Sequence, residues 1–291
     1  MEVNQVRDFA DRVKKFYYYK ALLCERLMGG KAGIEGDLIA MPPEDYNPFD
    51  NLYTDSYIIG CAALDALSST WQALNPAIKA ITCNQTSNQK RFVSFLLHLK
   101  VDQDLERVST PFLNYFLERQ DIEGPFRQEM KNRWINNRCE RESHRVYCDP
   151  IIDEIKVVYE NCHQHSPIEP YLTIENIDTE LAKFTYAALI YKFYRCSFVH
   201  EFRASQYAAF FNKGKQISVR EFATERIHSE KVITRDEVKP QLDVGIGVLT
   251  ESIRKGADAV HDLILKTQCT DIPYGSSDEI KVKTKTKTKT K

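Results

Sequence analysis

The stretch from about residue 176 to 211 dictates most of what this chain can become. Leu181, Phe184, Ala188 and Tyr191 trace one stripe, and Ala187, Ile190, Tyr194 and Phe198 trace the stripe beside it. Apolar residues at three-to-four spacing share one face of a 3.6-residue helix, and two adjoining stripes make that face too broad for one neighbour to cover. The rest of the chain supplies further helical segments. Residues 3–28 carry Val6, Phe9, Ala10, Val13, Phe16, Tyr17 and Leu23 at helical spacing and stop at Gly29-Gly30. Residues 54–74 can be capped by Thr54 or Asp55 and end before Asn75-Pro76. Further helices are expected over Gln89–Leu99, twice within 103–147 with a break near Gly124-Pro125, and from Asp149-Pro150 to about Tyr159. A final helix from about Val244 to Leu265 is weakened by Gly245, Gly247 and Gly256. Only Ile217-Ser218-Val219 and Lys231-Val232-Ile233-Thr234 read as β-like.

The expected fold class is therefore all-α: one helical domain over 1–274, with a polar insertion at about 103–170. Residues 275–291 end in a Lys-Thr alternation whose composition predicts a disordered basic tail.

Charge narrows the function classes. Without the six Lys of the last eleven residues, the chain carries 34 basic against 41 acidic residues. Such a body is no general polyanion binder, so any nucleic-acid contact has to come from a local patch. No apolar run approaches the length a membrane span needs, and residues 1–8 lack the pattern of an export signal. Eight Cys in 291 residues are too sparse for a disulfide scaffold. They read as free thiols in a reducing, cytoplasmic setting. No phosphate-binding loop, nucleophile elbow or His-Glu-x-x-His is present.

One octapeptide carries recognisable chemistry: Tyr194-Arg195-Cys196-Ser197-Phe198-Val199-His200-Glu201. A guanidinium grips phosphate with a planar, permanently charged fork, and an imidazole exchanges protons near neutral pH. The two together suit phosphodiester transfer without a metal, with His200 taking the proton of an RNA 2′-OH and Arg195 offsetting charge on the phosphoryl oxygens. On a straight α-helix, five steps of about 100° leave the two residues about 140° apart. A kink after Ser197, or a second copy across a two-fold axis, is needed to bring them together.

The octapeptide resembles the Arg-x4-6-His signature of HEPN domains, and is closest to the branch with Tyr-x-x-Arg-Cys-Ser-x-x-His. The upstream Ala63-Leu64-Asp65-Ala66-Leu67 segment, the late position in a long helix and the single helix that follows agree with it. The resemblance covers residues 54–100 and 175–265. It implies a HEPN-like helical bundle acting as a homodimer, with Arg195 and His200 as the catalytic pair in a cleft between protomers. It further implies a metal-independent endoribonuclease of a prokaryotic toxin or antiviral defence system, with RNA as substrate, no cofactor, and an antitoxin or other defence protein as a possible partner. Many active members carry Asn, Asp or His directly after the Arg, where this chain has Cys196. The insertion is more than a minimal HEPN bundle needs.

The neighbours of the pair have two readings each. Ser197 can hydrogen-bond substrate or back-bond to its helix. Glu201 can orient His200 or stay solvated, and Arg203 can contact phosphate or pair with a carboxylate. Tyr194 can stack on a base, although its apolar face favours core packing. Cys139, His144, Cys148, Cys162, His163 and His165 fall within 27 residues and include enough ligand types for a zinc ion, but no Cys-x2-Cys knuckle. Free thiols and solvated imidazoles are the plainer reading. Two rivals accompany the ribonuclease: a non-catalytic HEPN module that binds nucleic acid or a partner protein, and a structural interaction protein.

Overall fold

The computed structural model describes residues 3–28, 48–75, 88–101, 103–136, 144–145, 149–163, 172–209, 214–228, 232–270 and 272. The Lys-Thr tail lies outside them. The protein is mostly helical, as its periodicity predicts, and adds a β-ribbon longer than the two β-like runs foretell.

Three long helices form the main frame: α1 (Val3–Met28), α2 (Pro48–Leu74) and α9 (Ile246–Thr267) pack against one another. On α1 the buried residues include Val6, Ala10, Val13, Tyr17, Ala21 and Cys24; on α2 they include Tyr57, Cys61, Leu64, Leu67 and Trp71. Each set repeats at three or four residues, which is why the frame is built from helices. Polar pairs fix α1 on α9. Arg254 donates to both carboxylate oxygens of Glu25 at 2.8 and 2.7 Å, and Asp258 receives Tyr18 at 3.0 Å and Lys14 at 2.7 Å. Gly256 of α9 faces α2 and Phe95 instead: a Cβ there would meet Leu67 at 3.2 Å and Phe95 at 2.8 Å. Among the described residues, no helix is long and apolar enough to cross a membrane.

Helix α3 (Asn88–Leu99) lies on α2 and buries Phe92, Phe95, Leu96 and Leu99. After a short 3-10 turn, α4 (Thr110–Arg119), α5 (Pro125–Met130, extended by a π-helical turn Lys131–Ile135), α6 (Ile152–His163) and α7 (Ile177–Ala182) build a second, smaller core. Its centre holds Leu113, Leu117, Phe126, Met130, Ile155 and Tyr159. The polar insertion thus has a hydrophobic centre of its own, and that centre extends to Leu181, past the expected boundary at residue 170. Buried Asp149 ties it to the main core, to which Tyr186 belongs: it accepts from the Thr110 hydroxyl at 2.6 Å and from the Tyr186 hydroxyl.

The single long helix expected over 176–211 is divided. Helix α7 ends at Ala182, and Thr185 starts α8 (Tyr186–Ile190) as its N-cap, its hydroxyl accepting from the Ala188 N–H at 3.4 Å. The chain between them crosses to residues 107–109, with Ser109 N–H donating to Phe184 at 2.9 Å and Tyr186 N–H to Arg107 at 3.0 Å. These long-range bonds replace the helical ones that a continuous segment would make. From Ile190 the helix runs on through two π-helical stretches, Tyr191–Arg195 and Ser197–Glu201, and stops at Phe202 in the left-handed region with φ 53°.

The ribbon consists of β3 (Ile217–His228) and β4 (Val232–Val244), paired antiparallel from Ile217↔Val244 to His228↔Val232 with a bulge between Ala223 and Glu225. At its base β1 (His144–Arg145) pairs antiparallel with β3, and β2 (Ala208–Ala209) runs parallel to β4, giving the order β1-β3-β4-β2. The helix carrying the octapeptide holds this base. The Tyr194 hydroxyl donates to the Leu242 carbonyl at 2.7 Å, accepts from the Val244 N–H at 3.0 Å and contacts the Ala209 carbonyl; Tyr57 donates to the Val244 carbonyl at 2.5 Å.

Candidate functional site

The widened helix does what a straight one cannot. A π-helical turn closes hydrogen bonds from i to i+5, so residues five apart stack on the same side. Arg195 Nη1 lies 2.6 Å from His200 Nε2 within one chain. Convergence therefore needs neither a kink after Ser197 nor a second copy. A guanidinium has no acceptor, so His200 Nε2 accepts this bond, which requires the neutral tautomer with its proton on Nδ1.

Behind the pair stands Asp65 of α2, which bridges two guanidinium groups. Arg195 Nη2 donates to Oδ2 at 2.8 Å and Arg91 Nη2 donates to Oδ1 at 2.9 Å. Arg91 also donates to the Ser68 hydroxyl at 3.2 Å and to Asn88 at 3.1 Å, so α3 is locked to α2 around the same carboxylate. In the sequence Asp65 stands out only as part of the Ala63–Leu67 segment, and Arg91 belongs to no motif. Helical spacing carries the signal: Asp65 and Ser68 are three apart, as are Asn88 and Arg91, and residues at that spacing are helical neighbours.

Arg195 is 5% exposed, whereas His200 is open to solvent. Burial opposes the charge on Arg195, the hydrogen bond and attraction of Asp65 favour it, and the balance holds the guanidinium above its usual range. Its Nε has no partner among the described atoms, and its guanidinium carbon lies 5.4 Å from the centroid of the Tyr191 ring. Tyr191 is itself raised, chiefly by burial and next by the Cys196 beside it. The site thus presents an exposed imidazole on a buried, carboxylate-backed guanidinium. Such a pair can exchange a proton at His200 and hold an anion at Arg195 once Nη1 turns from imidazole to ligand.

The flanking residues are placed differently from one another. Ser197 is buried at 8% exposure. Glu201 and Arg203 pair with each other at 2.8 Å in solvent, so neither is aimed at His200. Tyr194 corrects the base-stacking reading. It is fully buried, packs on Tyr57 and Phe198, and spends its hydroxyl on the ribbon backbone, leaving no face for a base. Of the zinc candidates, Cys139, Cys148 and His165 lie outside the described residues. His144 falls in β1, and Cys162 and His163 close α6. Among the described residues no cluster of three metal-ligating side chains forms.

Comparison of the chain with models of known protein families, with curated proteins and with solved structures finds no match.

Proposed function

We propose that this protein is a HEPN-type, metal-independent endoribonuclease that works as a homodimer on single-stranded RNA in a prokaryotic defence or toxin system. The observation that carries the reading is the 2.6 Å contact between Arg195 and His200 on a helix widened at that point. The substrate phosphate draws Arg195 Nη1 away from His200 Nε2. The freed lone pair takes the proton of the ribose 2′-OH, and the 2′-oxygen attacks phosphorus. Negative charge gathering on the phosphoryl oxygens is met by the guanidinium, which Asp65 keeps in place. The bond to the 5′-oxygen breaks, and the imidazolium returns its proton to that oxygen. The products are a 2′,3′-cyclic phosphate and a 5′-OH end. A single-stranded substrate fits because its 2′-OH and phosphate are free to align.

The test is incubation with RNA in excess EDTA, comparing wild type with Arg195→Ala and His200→Ala. Cleavage by wild type and loss of at least a hundredfold in each variant is expected, within the usual span of about 10²–10⁴ for a positioned acid–base. Equal cleavage by all three rejects the assignment.

A specific observation favours a second reading, a HEPN module that binds nucleic acid or a partner protein without turnover. Arg195 is buried, its Nη atoms are taken by Asp65 and His200, and Cys196 follows it. RNA retention without product in the same assay selects this reading.

A further inference from the structure

A second candidate site lies at the seam between the two cores, away from the Asp65 side of the octapeptide helix. Helix α4, the end of α7, α8 with its first π-helical stretch, and Tyr207 enclose a cavity of about 290 Å³. Its floor is buried and apolar: Phe112, Leu189 and Phe193. Its walls are aromatic rings left partly open to solvent: Phe116, Phe184 and Tyr207. The rings are held side by side, with centroids 5.2 Å apart for Phe193 and Tyr207 and 5.2 Å apart for Phe116 and Phe184.

The rim carries the opposite chemistry. Among the described residues that line the cleft there are three cations, Arg119, Lys183 and Lys192, and one carboxylate, Glu180, which Lys183 holds at 2.6 Å. Arg119 lies over Tyr115 and donates to its hydroxyl at 3.1 Å, while Lys192 lies over the Phe193 ring at 5.3 Å. Both cations are exposed. This rim is a local excess of positive charge on a body whose acids outnumber its bases once the tail is set aside. Aromatic walls accept a flat π-system, and exposed cations on the rim attract an anion attached to it. The volume is at the lower end for small-ligand sites, which limits the ligand to a compact one.

We propose that this cleft binds a nucleotide, with the base between the aromatic walls and the phosphate at Arg119 and Lys192. The site is separate from the Arg195–His200 pair and does not depend on the ribonuclease reading. The nucleotide is either free in solution or one unit of a single-stranded chain, and both present the same base and phosphate.

The test is calorimetric titration of the full chain with adenosine monophosphate, whose bicyclic base offers a large stacking face. Adenosine and a short oligoadenylate serve as parallel ligands. One saturable site per chain is expected, at least tenfold weaker for adenosine and at least tenfold weaker for monophosphate binding to the exposed double reversal Arg119→Glu/Lys192→Glu. Circular dichroism checks that the reversal remains folded, and Tyr207→Ala, which removes a wall without touching the charges, is expected to weaken binding as well. Tighter binding of the oligoadenylate assigns the site to a nucleotide within a chain, and equal binding assigns it to a free nucleotide. No saturable binding in the millimolar range, equal affinity for adenosine, or indifference to the charge reversal overturns the proposal.

Discussion

Replacing Asp65 by Asn is the sharpest single perturbation of the candidate site. The carboxylate receives Arg195 at 2.8 Å and Arg91 at 2.9 Å. The side chains of Arg195 and Asp65 are 6% and 22% exposed, so water screens the Arg195 pair poorly. An exposed pair is worth at most about 1 kcal/mol, whereas stripping one partner from a buried charge costs about 3–5 kcal/mol. The partial exposure of Asp65 puts Asp65→Asn at the low end, a loss of about 3 kcal/mol. Arg91, less deeply set with its side chain 15% exposed, should cost only about 1 kcal/mol when changed to Ala. Urea denaturation measures both as shifts of midpoint at unchanged slope. Adding Arg195→Met to Asp65→Asn removes the uncompensated charge, so the double variant should recover part of the loss. An Asp65→Asn protein within 1 kcal/mol of wild type, or a double variant with no recovery, would refute the view of Asp65 as the counter-charge of a buried guanidinium.

Other consequences follow from the frame. Arg254 donates to Glu25 and holds its carboxyl below the usual 4.5 against the opposing effect of burial. Because the folded value is the lower one, the pair's contribution is fully present above about pH 4.5 and disappears as pH falls through the folded value. Glu25→Gln should lower stability at neutral pH by at most about 1 kcal/mol, given its solvent exposure, and flatten the acid limb in a pH series of melts. Gly256→Ala gains about 1 kcal/mol of helix propensity but drives a Cβ into Phe95 at 2.8 Å; overpacking costs about 1–3 kcal/mol, so a net loss in urea is expected and a gain would contradict the packing. Burial pushes the Cys24 thiol up to about 12 and the Cys61 thiol higher still. Native protein treated with iodoacetamide at about pH 8 should keep both unmodified by mass spectrometry until denaturant is added.

Much of the frame is legible in the amino-acid order, because α1, α2, α3 and α9 each bury a stripe whose period is set by the helix itself. The break at residues 183–185 is not legible. Thr185 fits a helix interior poorly but does not forbid it, and the bonds that divide the segment come from residues 107–109, distant in sequence. The π-helical widening is hidden for a related reason: no residue type encodes it, so an α-helical wheel sets Arg195 and His200 apart where the structure joins them. The octapeptide singles out two residues whose side chains the structure brings together, yet it also draws Tyr194 toward a surface role that its buried hydroxyl contradicts. Asp65 and Arg91 were missed because their meaning depends on contacts 130 and 26 residues away in sequence. The ribbon is longer than the two β-like runs because β3 and β4 gain much of their order from pairing with each other, which no local window contains.

If Arg195 and His200 act as one chemical unit on an RNA phosphate, end-group analysis of RNA treated in EDTA reads it out. Fragments bearing 2′,3′-cyclic phosphate and 5′-OH, formed by wild type and absent with His200→Ala, are the predicted result. Fragments with 5′-phosphate ends, or cleavage that persists on RNA lacking the 2′-OH, would contradict it.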